Sequence, residues 1–464
     1  MFAAIFIPDF HVEAIVRLRP ELRERPVAVM EGTAPLLRVA AVNERAGEAG
    51  LEPGMTKLQA EELAAACGAV LAARSAEQEA SAQAALLDAA CGFSPRVEDT
   101  VPGIVVLDLA GLERIFGAPA KIARDLARRC SEIGMEAQVA VAANPDAAVH
   151  AACGFSGVTV IPEGREQERL ATLPVEVLTV TEALTQRTRG TQRNLFQKDS
   201  TTASSVSSPQ ADGAELLNTL ESWGVRNLRA LAALPEVAVS ERLGQAGLHW
   251  QRMARGATSR TLRLVEPPAR FEESCELEHP LESLEPLSFL LNRMLEQLCA
   301  RLSARALATN EIRTTLTLDQ VEDRVIGSSG HRVIEDKPNA VTSAGDSSPG
   351  LLTRWPDDPI TRCLRLPVPM LDAKVFLKLL QLDLQTHPPG APVVKVCIEA
   401  RPAEPRRAQS GLFEAGAPEA ERLEVTLARI DRAVNDRVIG PNGDRAIGSS
   451  GDRVNTDHQI ARVG

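Results

Sequence analysis

Short apolar runs bounded by breakers alternate with Ala-rich amphipathic stretches through the first third of the chain. That pattern predicts alternating strands and helices. Residues 1–10, centred on Ala4-Ile5-Phe6-Ile7, read as a first strand. Phe10 to Leu22 reads as a helix, with Val12, Ala14, Ile15, Val16 and Leu18 as its apolar positions. Pro26–Met30, closed by Glu31-Gly32, and Leu37–Val42 read as the next two strands. A short helix and turn follow over Asn43–Leu51, and Glu52-Pro53-Gly54-Met55 opens another helix. Residues 56–67 and 75–93 are predicted helical. Arg96–Asp99 and Ile104–Leu109 read as a strand pair, Ala118–Ile133 as a helix with basic residues near its end, and Ala137–Ala142 as a strand. Asn144-Pro145 starts a further helix, with Pro in the first turn.

The alternation through about residue 165 makes an α/β or α+β domain. Residues 166–178 and 214–258 are predicted all helical, separated by a polar insert at 181–213. The core of that insert, Asp199 to Pro209, is low-complexity and predicts disorder. Residues 266–320 and 364–400 resume strand and helix patterns around a second polar insert at about 321–361. Asp323-Arg324-Val325-Ile326-Gly327 recurs at Asp436–Gly440 and, with Ala446 in place of Val, at Asp444–Gly448. These copies are few and short, have no solenoid period, and read as surface insertions. Their Gly-Ser-Ser-Gly runs lack the Gly-Lys-Ser/Thr of a phosphate loop.

Composition narrows the class. At 464 residues the chain is long enough for about three domains, and 44% hydrophobic content supports real cores. No 18-residue apolar run predicts a membrane span. The start runs directly into a strand, with no basic n-region or cleavage site, so a cytoplasmic protein is the expectation. The eight cysteines include no Cys-x-x-Cys pair, which makes a zinc site a poor reading. His150-x-x-Cys153, the one close His/Cys pair, reads as core. A net charge of −11 argues against strong unaided nucleic-acid binding, while leaving room for a local basic groove. Tyr is absent and aromatics are 3%, so base-stacking platforms are thin.

Several matches recur in a fixed order: Arg19-Pro20-Glu21-Leu22-Arg23-Glu24-Arg25-Pro26-Val27, Asn43 with Gly50-Leu51 and Met55, Val97-Glu98 leading to Leu107-Asp108, Ala142-Ala143-Asn144, and Trp223-Gly224-Val225-Arg226-Asn227-Leu228. Over about residues 3–430, apart from the inserts, this order resembles the Y-family DNA polymerases. More narrowly it resembles polymerase-like proteins of bacterial mutagenesis cassettes. The resemblance implies an α+β fold in four parts. Residues 1–165 would be palm and fingers, and 166–258 a helical thumb with a helix–hairpin–helix and the 181–213 insert. Residues 265–402 would be an α/β little finger with the 321–361 insert, and 403–464 a clamp-peptide linker and C-terminal tail.

An active member holds two divalent ions on hard oxygen ligands, which stabilise attacking and leaving oxygens together. In the family one Asp comes from the first strand and an Asp-Glu pair from the later one. Here those positions read Pro8, Gly103 and Ile104. None is a side-chain ligand. Asp9, one residue along, would face the opposite side of a strand, and Asp108 would lie roughly 13 Å from Ile104 at about 3.3 Å per residue. Asp99 lies before the turn. The family's triphosphate-gripping Tyr and Arg read Glu44 and Gly47, and its Lys pair reads Pro145 and Val149. The resemblance therefore implies no catalytic residues, no metal and no cofactor.

Leu220–Leu228 resembles a helix–hairpin–helix, whose Gly turn lets backbone N–H groups approach a phosphate. Leu243-Gly244-Gln245-Ala246-Gly247-Leu248 offers a second copy, and an ordinary Gly-ended helical turn is the plainer alternative for the first. Arg252, Arg255, Arg260, Arg263 and Arg270 in the link 251–270 face one acid, Glu266. This link could track a DNA backbone or be a solvated connector. The candidate DNA-binding residues are Gly224, Val225, Arg226, Arg252, Arg255 and Arg260.

Gln409-Ser410-Gly411-Leu412-Phe413 resembles a sliding-clamp-binding peptide, in which Gln409 hydrogen-bonds and Leu412 and Phe413 anchor in an apolar pocket. Gln192-Arg193-Asn194-Leu195-Phe196 is a second pattern of the same kind. Glu419–Val434 is a candidate amphipathic helix that either packs on its own domain or binds a partner. The resemblance implies DNA, a sliding clamp, a RecA-like accessory protein and an error-prone C-family DNA polymerase as partners, with no membrane. The combined expectation is a non-catalytic adaptor in damage-induced mutagenesis. An active translesion polymerase with a divergent site is the alternative, and a decayed remnant a third reading.

Overall fold

The computed structural model describes residues 1–179, 213–266, 269–319 and 359–405, all within a unit spanning Met1–Arg407 that is separate from Ala408–Gly464. Both clamp-type peptides, the Asp-Arg-Val-Ile-Gly repeats and Glu419–Val434 lie outside the described residues.

The first part of the chain supplies β1 (Phe2–Phe6), α1 (Phe10–Val16), β2 (Val27–Glu31), β3 (Arg38–Val42), α2 (Glu44–Glu48), α3 (Lys57–Cys67), β4 (Val70–Ala73) and α4 (Ala76–Cys91). It continues with β5 (Val97–Val101), β6 (Ile104–Asp108), α5 (Glu113–Phe116), α6 (Pro119–Glu132), β7 (Gln138–Ala142), α7 (Pro145–Gly154) and β8 (Val158–Val160). Helices α8 (Glu166–Leu170), α9 (Gly213–Ser222), α10 (Leu228–Ala233) and α11 (Glu236–Ala254) follow. The last part holds β9 (Phe271–Leu281), α12 (Leu284–Ala304), β10 (Ala308–Leu318), β11 (Ile360–Met370), α13 (Ala373–Thr386) and β12 (Val393–Ala403).

Three sheets result, with strand orders β5-β6-β1-β7-β8, β3-β2-β4 and β11-β10-β12-β9. In the first sheet β1 is central and antiparallel to both β6 and β7. Its side chains alternate between faces. Ala3, Ile5, Val105, Leu107, Val139 and Val141 pack under Leu86, Ile122 and Leu126 of α4 and α6. Ala4, Val106, Ala140 and Ala142 face α7 and the helical segment with Leu216, Leu228 and Trp250. No helix among the described residues is long and apolar enough to cross a membrane.

The expected order of strands and helices is present, with shorter elements and three additions, α5, β4 and β8. The helix from Phe10 stops at Val16 rather than Leu22. Pro20 disfavours helical backbone at Arg19, which sits at φ −126°, and only a short 3-10 turn forms over Pro20–Leu22. Strands β4 and β8 pair parallel with β2 and β7. They are short and adjoin helices, which hides them from pattern reading. The segment 214–258 is helical as expected, in helices separated by turns. Gly224 at φ +76° and Gly244 at φ +63° break it, the latter inside α11.

Candidate functional site

The two strand ends that would carry a metal platform meet in the first sheet. Phe6 pairs with Ile104, and the Ile7 N–H donates to the Gly103 carbonyl at 2.9 Å. Pro8 therefore emerges beside the Pro102-Gly103 turn. Ile104 is 2% exposed and belongs to the core on the α7 side. Gly103 adopts φ +81°, and a Cβ built on it would stand 2.8 Å from the Phe10 Cβ. The turn is fixed by Gln83 of α4, whose Oε1 accepts the Gly103 N–H at 2.8 Å while its Nε2 donates to Asp99 Oδ1 at 2.7 Å. Nothing in the sequence singled out Gln83, because an amide inside an Ala-rich helix has no motif.

The neighbouring carboxylates go elsewhere. Strand β1 ends at Phe6, so strand alternation does not govern Asp9. Asp9 takes a left-handed backbone, φ +48°, and its carbonyl accepts the Val12 and Glu13 N–H groups at the start of α1. Burial pushes its carboxyl pKa up, and the nearby Glu44 adds to the shift. Asp108 lies at the other end of β6, opposite Phe2. It accepts the Ala110 N–H at 2.8 Å and pairs with Arg96 at 2.7 Å. Asn43 is a structural cap: its Oδ1 accepts the Ala46 and Val27 N–H groups, each at 3.0 Å, and its Nδ2 donates to Arg25 O at 2.8 Å. Glu44 and Gly47 follow within α2. Pro145 opens α7, and Val149 is buried in it. Among the described residues, no three His, Cys, Asp or Glu side chains are grouped so as to hold a metal ion.

The basic link runs along the edge of the first sheet. The Val265 N–H donates to Val97 O of β5 at 2.9 Å. Arg260 donates through Nη1 to both Glu98 oxygens, at 2.8 and 2.7 Å, and through Nε to Asp146 Oδ1 at 2.6 Å. Glu98 also accepts the Arg263 N–H at 2.7 Å and the Thr100 hydroxyl at 3.2 Å. Burial opposes the Arg260 charge, and the two carboxylates more than offset it, raising its pKa. Behind Asp146, His150 is enclosed. Burial is the main cause that drives its pKa down to about 4, against the opposing pull of Asp146. Arg255 donates Nε and Nη2 to Ala232 O at 3.1 and 3.0 Å and pairs with Glu236. Arg252 is exposed, and no described residue forms an ion pair with it. The sequence named Arg260 but not its partners Glu98 and Asp146, which are far from it along the chain.

The Gly224 turn joins α9 to α10, and space around the glycine is open. Val225 is buried, Arg226 is exposed, and Asn227 caps α10 by accepting the Ala230 N–H at 2.9 Å. The Leu228 and Arg229 N–H groups donate to Leu173 O and Ala171 O, so these two donors are used within the fold. The Gly244 turn is also open. The Arg242 guanidinium lies over the Trp223 ring at 5.7 Å, tying the two glycine turns together.

Residues 5–152 match the impB/mucB/samB family. The chain is 25% identical to Protein ImuB of Caulobacter vibrioides over 233 residues, covering 49% of this chain and 44% of that protein. This is an ImuB-like protein. The match spans less than half the length of that relative. DNA polymerase IV of Dehalococcoides mccartyi is 25% identical over 301 residues, covering 64% of this chain and 68% of that one. Among solved structures, the insertion ternary complex of Dbh DNA polymerase and DinB from Sulfolobus solfataricus each show 13% identity and a TM-score of 0.43, covering 88% of this chain.

Proposed function

We propose that this ImuB-like protein is a non-catalytic adaptor in damage-induced mutagenesis. It would link DNA, a sliding clamp and an error-prone C-family polymerase in the cytoplasm, with a RecA-like accessory protein as a further partner. One observation carries the reading. The meeting point of β1 and β6 is built from Pro8, Gly103 and Ile104, with Gly103 pressed against Phe10 and Ile104 in the core. Two-metal chemistry needs convergent carboxylates at such a place. On this reading Gln409, Leu412 and Phe413 hold the clamp. The glycine turns at Gly224 and Gly244, with Val225 buried beneath and Arg226 and Arg252 exposed, touch DNA. Arg255 and Arg260 act on DNA only indirectly, by holding the link in place. Tethering raises effective concentration, so weak individual contacts suffice.

The rival reading, an active polymerase with a divergent site, would draw on Asp9, whose carboxyl lies near Glu44. Primer extension in Mg²⁺ and clamp binding by the same purified protein decide between them. Extension at background, with clamp binding lost in a Gln409→Ala, Leu412→Ala, Phe413→Ala variant, supports the adaptor. Extension that follows the protein through repurification overturns it. Clamp binding unchanged in the variant moves the contact to Gln192–Phe196 or elsewhere.

A further inference from the structure

Four charged side chains with almost no solvent contact join the first sheet domain to the last. Arg17, at the end of α1, is 1% exposed, Glu273 of β9 is 0%, Arg301 of α12 is 1% and Asp88 of α4 is 3%. Arg17 grips Glu273 with both Nη atoms at 2.8 Å. Arg301 donates Nη1 to Glu273 at 2.9 Å and Nε to Asp88 at 2.9 Å. The Ser81 hydroxyl of α4 donates to Glu273 at 2.6 Å. Charges thus alternate along the chain Arg17, Glu273, Arg301, Asp88, and each junction but one crosses between the domains.

The surrounding backbone is arranged for the same contact. The Arg17 carbonyl accepts Gln297 Nε2 at 2.6 Å and Arg293 Nε at 3.2 Å, both from α12. Arg17 Nε donates to Ile133 O at 2.9 Å. Gly92, at the end of α4, lets α12 approach so closely that a Cβ there would lie 2.6 Å from Ala304 O. A buried charge network adds little net stability, because desolvation offsets the Coulombic attraction. Its effect is selective. A rotated or shifted docking would strand a charge without a partner, and an unpaired buried charge is heavily penalised.

We propose that Arg17, Glu273, Arg301 and Asp88 form an interdomain lock, which fixes the C-terminal sheet domain on the N-terminal one in a single orientation. The two then move as one rigid body rather than hinging about the link that follows α11. The adaptor would present its DNA-facing and partner-facing surfaces at a fixed spacing.

Hydrogen exchange on the full chain tests this, using Glu273→Gln and, separately, Gly92→Ala. The first leaves two buried guanidinium groups around a neutral amide. The second wedges the domains apart without touching a charge, and Gly92 has a helical backbone that accepts alanine. Both variants are expected to exchange about tenfold faster in peptides from α4, β9 and the α4-facing side of α12, with β1, β6, β7, β10 and β12 unchanged. Unchanged exchange at the interface in Glu273→Gln, with Gly92→Ala showing the rise that domain separation produces, overturns the lock. So does an equal rise throughout both sheets, which would make the network a general stabiliser.

Discussion

Phe10 and Gly103 occupy adjoining space so closely that no side chain fits at position 103: a Cβ there would lie 2.8 Å from the Phe10 Cβ and 3.0 Å from its Cγ. The left-handed backbone at Gly103, φ +81°, compounds the conflict. On the adaptor reading, placing carboxylates there by Pro8→Asp, Gly103→Asp and Ile104→Glu is therefore expected not to create a polymerase. Gly103→Asp alone should cost about 1–3 kcal/mol. Urea denaturation measures the loss, and primer extension in Mg²⁺ should remain at background.

Arg260 and Arg252 are expected to separate cleanly. Arg260→Met leaves Glu98 and Asp146 as buried, unpaired carboxylates. The loss should be about 2–3 kcal/mol, less than the roughly 3–5 kcal/mol of a fully enclosed pair, because Arg260 is part-exposed. Arg252→Ala should change stability by less than about 0.5 kcal/mol. If it contacts a phosphate, the slope of log affinity against log salt falls by about 1. Denaturation curves and DNA titrations at several salt concentrations check both.

His150 sets a pH dependence. Its folded pKa, about 4, lies below the 6.5 of a free imidazole. Between these values the unfolded chain binds a proton that the folded protein refuses. Stability should therefore fall as pH drops from about 6.5 towards 4, by up to about 3 kcal/mol, and this group adds no further loss below that. Substituting His150→Gln should flatten that part of the stability profile, read as the difference between the two proteins from pH 7 to pH 4.

Asn43→Ala should cost about 1–2 kcal/mol, because it removes the cap of α2 and the bond to the Val27 N–H together. Thermal denaturation reads the shift. Asn43→Asp keeps the capping oxygen and should recover part of it.

Much of the fold was legible because hydrophobic period and breaker positions set element type. The strands around Ile5 and Val106 and the helix started by Asn144-Pro145 follow from local sequence. Strand β4 did not, since Val70-Leu71-Ala72-Ala73 adjoins an Ala-rich helix and is fixed by parallel pairing with β2. Pro8, Gly103 and Ile104 were singled out by the resemblance, and the structure brings them together where β1 meets β6. Two things were not legible. The Gln83 bridge joins residues about one helix apart through an unremarkable amide. The Arg260 pair with Glu98 spans 162 residues. Long-range ion pairs leave no periodic trace, so a basic link with one nearby acid gave no sign of the distant carboxylates that hold it.

The link has one more consequence. Strand β5 is the outermost strand of its sheet, and such strands invite pairing with any extended peptide. Here the Val265 N–H already bonds the Val97 carbonyl, and the Arg263 N–H bonds the Glu98 carboxylate. The chain thus guards its own border against strand addition. Self-association or partner capture through that margin would first require peeling away the segment that Arg260 anchors.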